Sequence, residues 1–165
     1  MREFQLLGRN HDRSGFDCGE EALNKYLRET ARQHVEKGIA KTFVYVDTDN
    51  PGEILGYFTL VVCETLTEGL PEKIAHKLPG MAPAARLGRL AVSKKHQGRK
   101  IGTLLMAEVI QRILSLDESF GVIGLLVDAK TIQAKKFYAG FGFVELHGRP
   151  LKLFLPLQTL RDARN

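Results

Sequence analysis

Cysteines and long apolar segments are scarce in this sequence. Its 165 residues contain two cysteines, Cys18 and Cys63. Two cysteines exclude a disulfide framework, and they stand in no spacing typical of a metal site. No apolar run approaches the ~20 residues that cross a membrane, and the first ten residues, MREFQLLGRN, lack the apolar core of a secretory signal. We therefore expect a cytoplasmic protein with no membrane partner and no bound metal.

Acidic residues are missing from one stretch of the chain. Residues 73–100 contain eight lysines and arginines and no aspartate or glutamate. The whole chain has a net charge of +5, so the remainder is net negative. Positive charge concentrated in this way favours an anionic ligand, such as a phosphorylated cofactor, a nucleic acid or both. A solvated basic surface without a ligand would give the same pattern.

Apolar periodicity predicts alternating helices and strands. The composition is ordinary for a globular protein, and the length fits one domain over residues 1–165. A helix is predicted over residues 16–38, with Asp17 and Glu20 at capping-box spacing and Gly38 as its stop. Further helices are predicted to begin near residues 101 and 131. Strands are predicted over residues 4–7, 41–47, 53–63, 85–93, 121–129, 141–146 and 151–157, with a variable loop or short helix over 64–83. This order indicates an α/β or α+β fold with a mixed sheet.

The segment KKHQGRKIGTLLM, residues 94–106, is a basic turn that leads into an apolar-periodic helix. Because it follows the predicted strand ending in RLAVS, it exposes backbone N–H groups at the positive end of a helix, where they can bind an anion. Gly98 and Gly102 leave room for a phosphate to approach the backbone. The spacing excludes a Walker A motif and a dinucleotide fingerprint. The turn is therefore a candidate phosphate site of another type.

This turn and a later segment together resemble the GCN5-related N-acetyltransferases, the GNAT family. The family signature, Q/R-x-x-G-x-G/A at a strand-to-helix turn, is similar to QGRKIG at residues 97–102, in which Lys100 stands where the family prefers a glycine. The segment AKKFYAGFGF, residues 134–143, follows after one further strand. A closer likeness runs nearly end to end, through FDCGEEALNKYLRETARQ, KTFVYVD, ILGYFTL and APAARLGRLAV, to the TacT-type GNAT toxins of bacterial toxin–antitoxin modules.

The resemblance implies the GNAT fold and acetyl-CoA as co-substrate. In this fold a central mixed, mostly antiparallel sheet has helices on both faces, and a splayed strand pair holds acetyl-CoA. Backbone groups near Val92 would hold the acetyl-pantetheine arm and stabilise the oxyanion, and those of the turn would hold the diphosphate. The residues implied for acetyl-CoA are Leu90, Ala91, Val92, Gln97, Gly98, Arg99, Lys100, Ile101, Gly102 and Thr103.

Tyr138, within AKKFYAGFGF, is the catalytic side chain that the resemblance implies. A positioned phenol can protonate the departing CoA thiolate, since a thiol titrates near ~8.5 and a tyrosine near ~10. A tyrosine with a purely structural role, packed among neighbouring phenylalanines, would give the same sequence pattern. Glu64 and Asp128 are the available carboxylates, but no base is assigned. A free α-amine titrates near ~7.7–8.0, and esterification of its carboxyl group should lower that value further.

For toxins of this type the resemblance implies acetylation of the α-amine of aminoacyl-tRNA, which blocks translation. It also implies a ribbon-helix-helix antitoxin as a partner, and a homodimer. Arg86, Arg89, Lys94 and Lys95 are the candidates for contacts with tRNA phosphates, and His96 is expected in an exposed loop. Two alternatives stay open: a GNAT enzyme that acetylates a small amine or a protein N-terminus, and a non-catalytic nucleic-acid-binding module that uses the basic segment.

Overall fold

Seven strands form a mixed sheet, as the sequence predicts. The computed structural model describes residues 1–164. Its strands are β1 (Arg2–Leu6), β2 (Lys41–Asp47), β3 (Gly56–Leu66), β4 (Met81–Val92), β5 (Gly124–Asp128), β6 (Val144–Leu146) and β7 (Arg149–Pro156). Its helices are α1 (Glu21–Glu29), α2 (Ala31–Lys37), α3 (Glu72–Ala75), α4 (Ile101–Asp117), α5 (Ile132–Ala139) and α6 (Leu157–Arg164), with a 3-10 turn at Lys94–His96. Neighbouring strands follow the order β1-β2-β3-β4-β5-β7-β6. The β4–β5 pair is parallel, whereas β1–β2, β2–β3, β5–β7 and β6–β7 are antiparallel.

The first helical region differs from its prediction. A break at Thr30, with φ −124°, divides the helix predicted over residues 16–38 into α1 and α2. The predicted capping box is wrong, because Asp17 Oδ1 accepts hydrogen bonds from the Gly19 backbone and the Asn24 side chain, and no side chain caps α1. The predicted stop is confirmed. Gly38 ends α2 with φ +73°, a left-handed conformation that glycine adopts without strain.

The described chain divides into two compact units, of which the first comprises residues 1–61 and 88–109. In this unit β2 lies between β1 and β3 and runs antiparallel to both. Its core includes Leu27 of α1, Val44 of β2, Tyr57 of β3 and Ala91 of β4. A Cβ at Gly56 would lie 3.0 Å from the Ala91 carbonyl oxygen. Glycine at the start of β3 therefore permits the close approach of the end of β4, which leads into the turn before α4.

The second unit comprises residues 62–87 and 110 onward. Here β5 pairs with β4 and β7, β6 pairs with β7, and the core includes Leu126 and Phe154. The helix α6 was not predicted. It is held to α4 by Arg161, whose guanidinium donates hydrogen bonds to both carboxylate oxygens of Asp117. Because these two residues are distant in sequence, local periodicity gives little sign of the helix.

The prediction of one domain over residues 1–165 stays a prediction. Among residues 1–164, no helix has both the length and the apolar character needed to cross a membrane. Within the same described range, no three His, Cys, Asp or Glu side chains converge as a metal site would require. Cys18 and Cys63 are free thiols.

Candidate active site

The phosphate turn, residues 97–103, connects the 3-10 turn after β4 to the first turn of α4. Gly98 has φ +80°, and a Cβ there would meet no atom within 4 Å. Lys100 has φ +62°, and among the described residues it is the one non-glycine residue with a positive φ. A left-handed conformation costs an L-residue roughly 1–2 kcal/mol. The backbone thus adopts the geometry for which the GNAT signature uses glycine, although a lysine occupies the position.

The backbone N–H groups of the phosphate turn are free to bind a ligand. Ile101, Gly102 and Thr103 form the first turn of α4, whose N–H groups have no acceptor inside the helix. Within residues 1–164, none of the N–H groups from Gly98 to Thr103 donates a hydrogen bond to another part of the chain. Ile101 is buried, so it offers only its backbone. Unpaired donors at the positive end of a 17-residue helix make a site suited to an anion.

Hydrogen bonds connect the phosphate turn and the residues just before it to the segment that precedes α1. The Gln97 side-chain amide donates hydrogen bonds to the carbonyl oxygens of Cys18 and Val92, both at 3.0 Å. The Lys94 backbone N–H donates to the Asp17 carbonyl oxygen at 2.8 Å, and its ammonium lies 3.9 Å from the Asp17 carboxylate. Hydrogen bonds from the Gly19 backbone and from Asn24, with a smaller contribution from Lys94, lower the pKa of Asp17. The Gln97 side-chain NH2 group therefore braces the turn from within the protein.

The end of β4, residues 90–92, extends beyond the parallel ladder with β5. That ladder joins Ala85 to Leu125 and ends with Leu87 opposite Val127. β4 continues to Val92, with Ala91 buried and with Leu90 and Val92 half-buried. The predicted residues Leu90, Ala91 and Val92 therefore lie beyond the last residue pair of that ladder.

Tyr138 lies on α5 with its ring buried in an aromatic cluster. It packs edge-on against Phe137 and Phe143, with ring centroids 5.3 and 5.4 Å away. Its hydroxyl has no hydrogen-bond partner among the described residues, and 8% of the residue remains exposed. Burial raises the pKa of the phenol to about 12. Thr131 accepts a hydrogen bond from the Ala134 N–H and so caps the helix that carries Tyr138.

The predicted tRNA-binding residues have different surroundings. Arg86 forms an ion pair with Asp128 at the end of β5, with 3.6 Å between Nη1 and Oδ2. Arg89 instead lies over the ring of Tyr26, with its Cζ 3.5 Å from the ring centroid. Lys94 is beside Asp17, whereas Lys95 is exposed at a polar cavity of about 330 Å³. These side chains therefore differ in how much of their charge is available to a ligand.

His96 and the two candidate bases complete the set of predicted residues. The prediction that His96 lies in an exposed loop is wrong. Its side chain is only 16% exposed, and both ring nitrogens are buried without a hydrogen-bond partner. Its Nε2 lies 4.0 Å from Glu53 Oε1. Glu64 is an exposed residue of β3, and Asp128 is paired with Arg86. Neither carboxylate has the buried, unpaired environment that would tune it as a base.

Comparisons with known proteins show what this chain is similar to. The model of the family described as acetyltransferase (GNAT) domain matches residues 38–145. A "tRNA-acetylating toxin" of Mycobacterium tuberculosis is 32% identical over 93% of this chain and 89% of its own length. A "probable toxin TacT" of Sinorhizobium fredii is 27% identical over 92% of this chain and 88% of its own.

Solved structures extend the likeness to the whole chain. A tyrosine-to-phenylalanine variant of KacT has a TM-score of 0.92 at 32% identity, covering 98% of each chain. AtaT complexed with acetyl-methionyl-tRNAfMet has a TM-score of 0.92 at 27% identity, covering 100% of each chain. A tyrosine-to-phenylalanine variant of the AtaT toxin, bound to acetyl-CoA and to the C-terminus of the antitoxin AtaR, has a TM-score of 0.84 at 26% identity, covering 99% of this chain and 98% of that one.

Proposed function

Because this chain belongs to the GNAT family of acetyltransferases, we propose that it transfers the acetyl group of acetyl-CoA to the α-amine of aminoacyl-tRNA and thereby acts as a toxin that blocks translation. One observation carries the substrate assignment. The match to the general GNAT domain covers residues 38–145, but the similarity to the tRNA-acetylating toxin covers 153 residues. The likeness to that toxin therefore includes residues outside the part that matches the GNAT family model.

The phosphate turn fits the diphosphate of coenzyme A. Unpaired N–H groups from Gly98 to Thr103 and the positive helix end supply donors and a favourable potential. The open space at Gly98 allows the anion to reach the backbone. The exposed cations of Arg99 and Lys100 add charge at the same turn. We assign diphosphate binding to the main chain, with Gln97 keeping the turn in shape.

The end of β4 fits the pantetheine arm of acetyl-CoA. Beyond Leu87, the main chain of Leu90, Ala91 and Val92 has no parallel neighbour in the described β4–β5 ladder. We assign to this segment the hydrogen bonds that orient the thioester, with an N–H group near Val92 stabilising negative charge on the reacting carbonyl oxygen. Acetyl-CoA supplies an activated acetyl group, and this segment holds it in place for the attacking amine.

Tyr138 acts as a hydrogen-bond donor to the leaving sulfur. With its pKa at about 12, the phenol stays protonated at neutral pH, as a donor must. Because burial disfavours the phenolate, complete transfer of its proton to the thiolate is less favourable than from a solvent-exposed tyrosine. Tyr138 therefore stabilises the developing thiolate through a strong hydrogen bond, and the thiol takes its proton finally from solvent. A hydroxyl without a hydrogen-bond partner, on a residue that is 8% exposed, suits this role.

The chemistry of the amine favours an aminoacyl ester over a lysine. A free α-amine titrates near ~7.7–8.0 and lower once its carboxyl group is esterified, whereas a lysine amine titrates near ~10.4. An ester-linked α-amine therefore provides abundant neutral nucleophile at cellular pH. This removes the need for a strong base, and the environments of Glu64 and Asp128 supply none.

The remaining roles concern tRNA phosphates and protein partners. Lys94 and Lys95 follow β4 and lie beside the phosphate turn, and Arg86 lies earlier on β4. We assign these three side chains to contacts with the tRNA backbone. We further propose a ribbon-helix-helix antitoxin as the inhibitor of this protein, a homodimer as its assembly, and the cytoplasm, where charged tRNA is found, as its location. Co-expression with the product of an adjacent antitoxin-like reading frame should restore growth.

One assay tests the proposal against its alternatives. Labelled acetyl-CoA is incubated with charged tRNA, uncharged tRNA, a polyamine and a peptide with a free N-terminus. We expect label only on charged tRNA, released on mild alkaline hydrolysis as an N-acetyl amino acid. Label on the polyamine or the peptide alone would instead indicate an enzyme for small amines or protein termini. Absence of acetyl-CoA binding would leave a nucleic-acid-binding module as the better description.

A further inference from the structure

Arg89 is held flat against an aromatic ring. Its Cζ lies 3.5 Å from the centroid of the Tyr26 ring, which is van der Waals contact between two planar groups. An edge-on guanidinium would place an N–H group between Cζ and the ring and could not approach so closely. The guanidinium plane is therefore close to parallel to the ring, as in a cation–π stack.

The Tyr26 ring is itself fixed in position. It is 7% exposed, within the core that joins α1 to the sheet. Its hydroxyl forms a 3.0 Å hydrogen bond with His34 Nδ1, and the two rings pack edge to face with centroids 5.6 Å apart. Rotation of the Tyr26 ring would break both contacts. The surface on which Arg89 rests is thus rigid.

The other face of the Arg89 guanidinium has no partner in the described structure. Within residues 1–164, Arg89 forms no ion pair and donates no hydrogen bond, and the residue is partly exposed. Arg86, on the same strand, is by contrast paired with Asp128. A cation that is stacked on one face and unpaired elsewhere is prepared for a second planar group.

We propose that Arg89, held flat by Tyr26, is a stacking platform for a nucleobase at the single-stranded 3′ end of the acceptor tRNA. This inference rests on the proposed function and changes the expected role of Arg89 from a phosphate contact to a base contact. Unpaired bases at RNA ends stack on aromatic rings and on arginine guanidinium planes. Arg89 directly precedes Leu90, the first residue of the segment assigned to the thioester. In aminoacyl-tRNA only a ribose and an ester separate the terminal base from the aminoacyl group, so the base and the reacting amine must bind to neighbouring parts of the protein.

Salt dependence distinguishes a base contact from a phosphate contact. Removal of one phosphate contact to a single strand lowers the slope of log Kd against log salt by ~0.7. Loss of stacking weakens binding at every salt concentration and leaves the slope unchanged. We therefore compare Arg89→Lys, which keeps the charge and loses the planar face, with Lys95→Ala, which loses a candidate phosphate contact. Lys25→Ala, an exposed charge on α1 outside the proposed site, is the control.

The experiment measures the affinity of full-length protein for tRNA carrying an amide-linked amino acid, over a series of KCl concentrations. We expect Arg89→Lys to raise Kd about tenfold with an unchanged slope, and Lys95→Ala to lower the slope. Tyr26→Leu should weaken tRNA binding as much as Arg89→Lys does. Tyr26→Phe retains the ring and loses the hydrogen bond to His34, so it should weaken binding about threefold. Tyr26 is a positioning residue and is buried, so each Tyr26 variant is first checked for acetyl-CoA binding. Arg89 is partly exposed, so we expect Arg89→Lys to fold, and this variant carries the test alone if Tyr26→Leu fails to fold.

A phosphate-free ligand gives an independent second measurement. An adenosine with an amide-linked amino acid at its 3′ position carries the base and the amine but no phosphate. It should compete with charged tRNA on the wild type and about tenfold less well on Arg89→Lys. The inference is overturned if it does not compete, or if Arg89→Lys binds charged tRNA as the wild type does while Arg89→Ala lowers the salt slope. If charged tRNA is not acetylated at all and another amine is, the proposed function itself has failed.

Discussion

Lys100 is the residue at which the phosphate turn departs from the GNAT signature, and its backbone conformation allows a quantitative prediction. Its φ of +62° costs an L-residue roughly 1–2 kcal/mol, which glycine avoids. Glycine also loses about 0.5–1 kcal/mol more conformational entropy on folding than alanine does. The difference favours glycine by about 0.5–1 kcal/mol. For a protein of this size, 1 kcal/mol corresponds to ~2–4 °C in Tm. Lys100→Gly should therefore have a Tm about 2 °C above that of Lys100→Ala.

The alanine variant separates the charge of Lys100 from its backbone. Lys100→Ala keeps the positive φ and removes the exposed ammonium group. If that ammonium contacts the diphosphate, both variants should bind acetyl-CoA about 2–5 times more weakly than the wild type, as is typical of an exposed ion pair. The difference from the wild type should shrink as salt is added. Both variants lack the ammonium group, so a difference in Tm between them reports the cost of the positive φ at residue 100.

Thermal unfolding and titration calorimetry measure the two effects on the same samples. The order expected for Tm is Lys100→Gly above Lys100→Ala, and the order expected for acetyl-CoA affinity is wild type above both variants. A Tm for Lys100→Gly at or below that of Lys100→Ala would refute the conclusion that the turn is strained at Lys100. Affinities equal to the wild type would show that the ammonium group does not contact the ligand.

Three further predictions concern catalysis, the brace and the sheet. Tyr138→Phe should reduce kcat at least tenfold with unchanged acetyl-CoA affinity. In the wild type, the rate should rise with pH as the amine deprotonates. Because the pKa of Tyr138 is about 12, the rate should show no alkaline fall below about pH 10. Stopped-flow acetylation across a pH series checks both statements. Gln97→Ala should lower the free energy of unfolding by about 1–2 kcal/mol through loss of its two hydrogen bonds, and it should weaken acetyl-CoA binding in calorimetry. Gly124→Ala should cost about 2–4 kcal/mol in urea unfolding, since its Cβ would lie 2.3 Å from the Leu155 carbonyl oxygen, whereas Gly80→Ala, in open space, should cost little.

Local signals predicted the order of strand, turn and helix around residues 97–103 correctly, because the determinants of that order are local. A strand, a basic turn with Gly98, and an apolar-periodic helix follow one another within residues 85–117, and the structure has β4, the turn and α4 in that order. The break at Thr30 was missed for the opposite reason. Apolar spacing continues through that residue, so periodicity gives no sign that the backbone leaves the helical region there. The rest of the fold was predicted from the resemblance to the GNAT family, because the order of strands and helices along the chain does not specify that β7 lies between β5 and β6.

The environments of the functional side chains depend on contacts distant in sequence. The stacking of Arg89 needs Tyr26 on α1, and the pKa of Tyr138 follows from its burial on α5. His96 lies within a basic, polar segment that predicts exposure, yet its ring is enclosed near Glu53, which follows the turn between β2 and β3. Sequence indicates which residue types are present at a site. Their exposure, partners and acidity are set by the fold, so they could be assigned only from the structure.

Counter-charges within the protein change what the basic segment implies for tRNA binding. Counted along the sequence, residues 73–100 offer eight cations to an anionic partner. In the structure Arg86 is paired with Asp128 and Lys94 lies beside Asp17, so these two cations already have counter-charges within the protein. Arg89 is stacked on Tyr26. Fewer counterions are released when a phosphate replaces a carboxylate that already neutralises a cation. The slope of log Kd against log salt should therefore be well below the value expected for eight independent phosphate contacts. Asp128→Asn removes the counter-charge of Arg86, so we expect the slope for this variant to become steeper by nearly one unit, whereas an unchanged slope would mean that Arg86 contacts no tRNA phosphate.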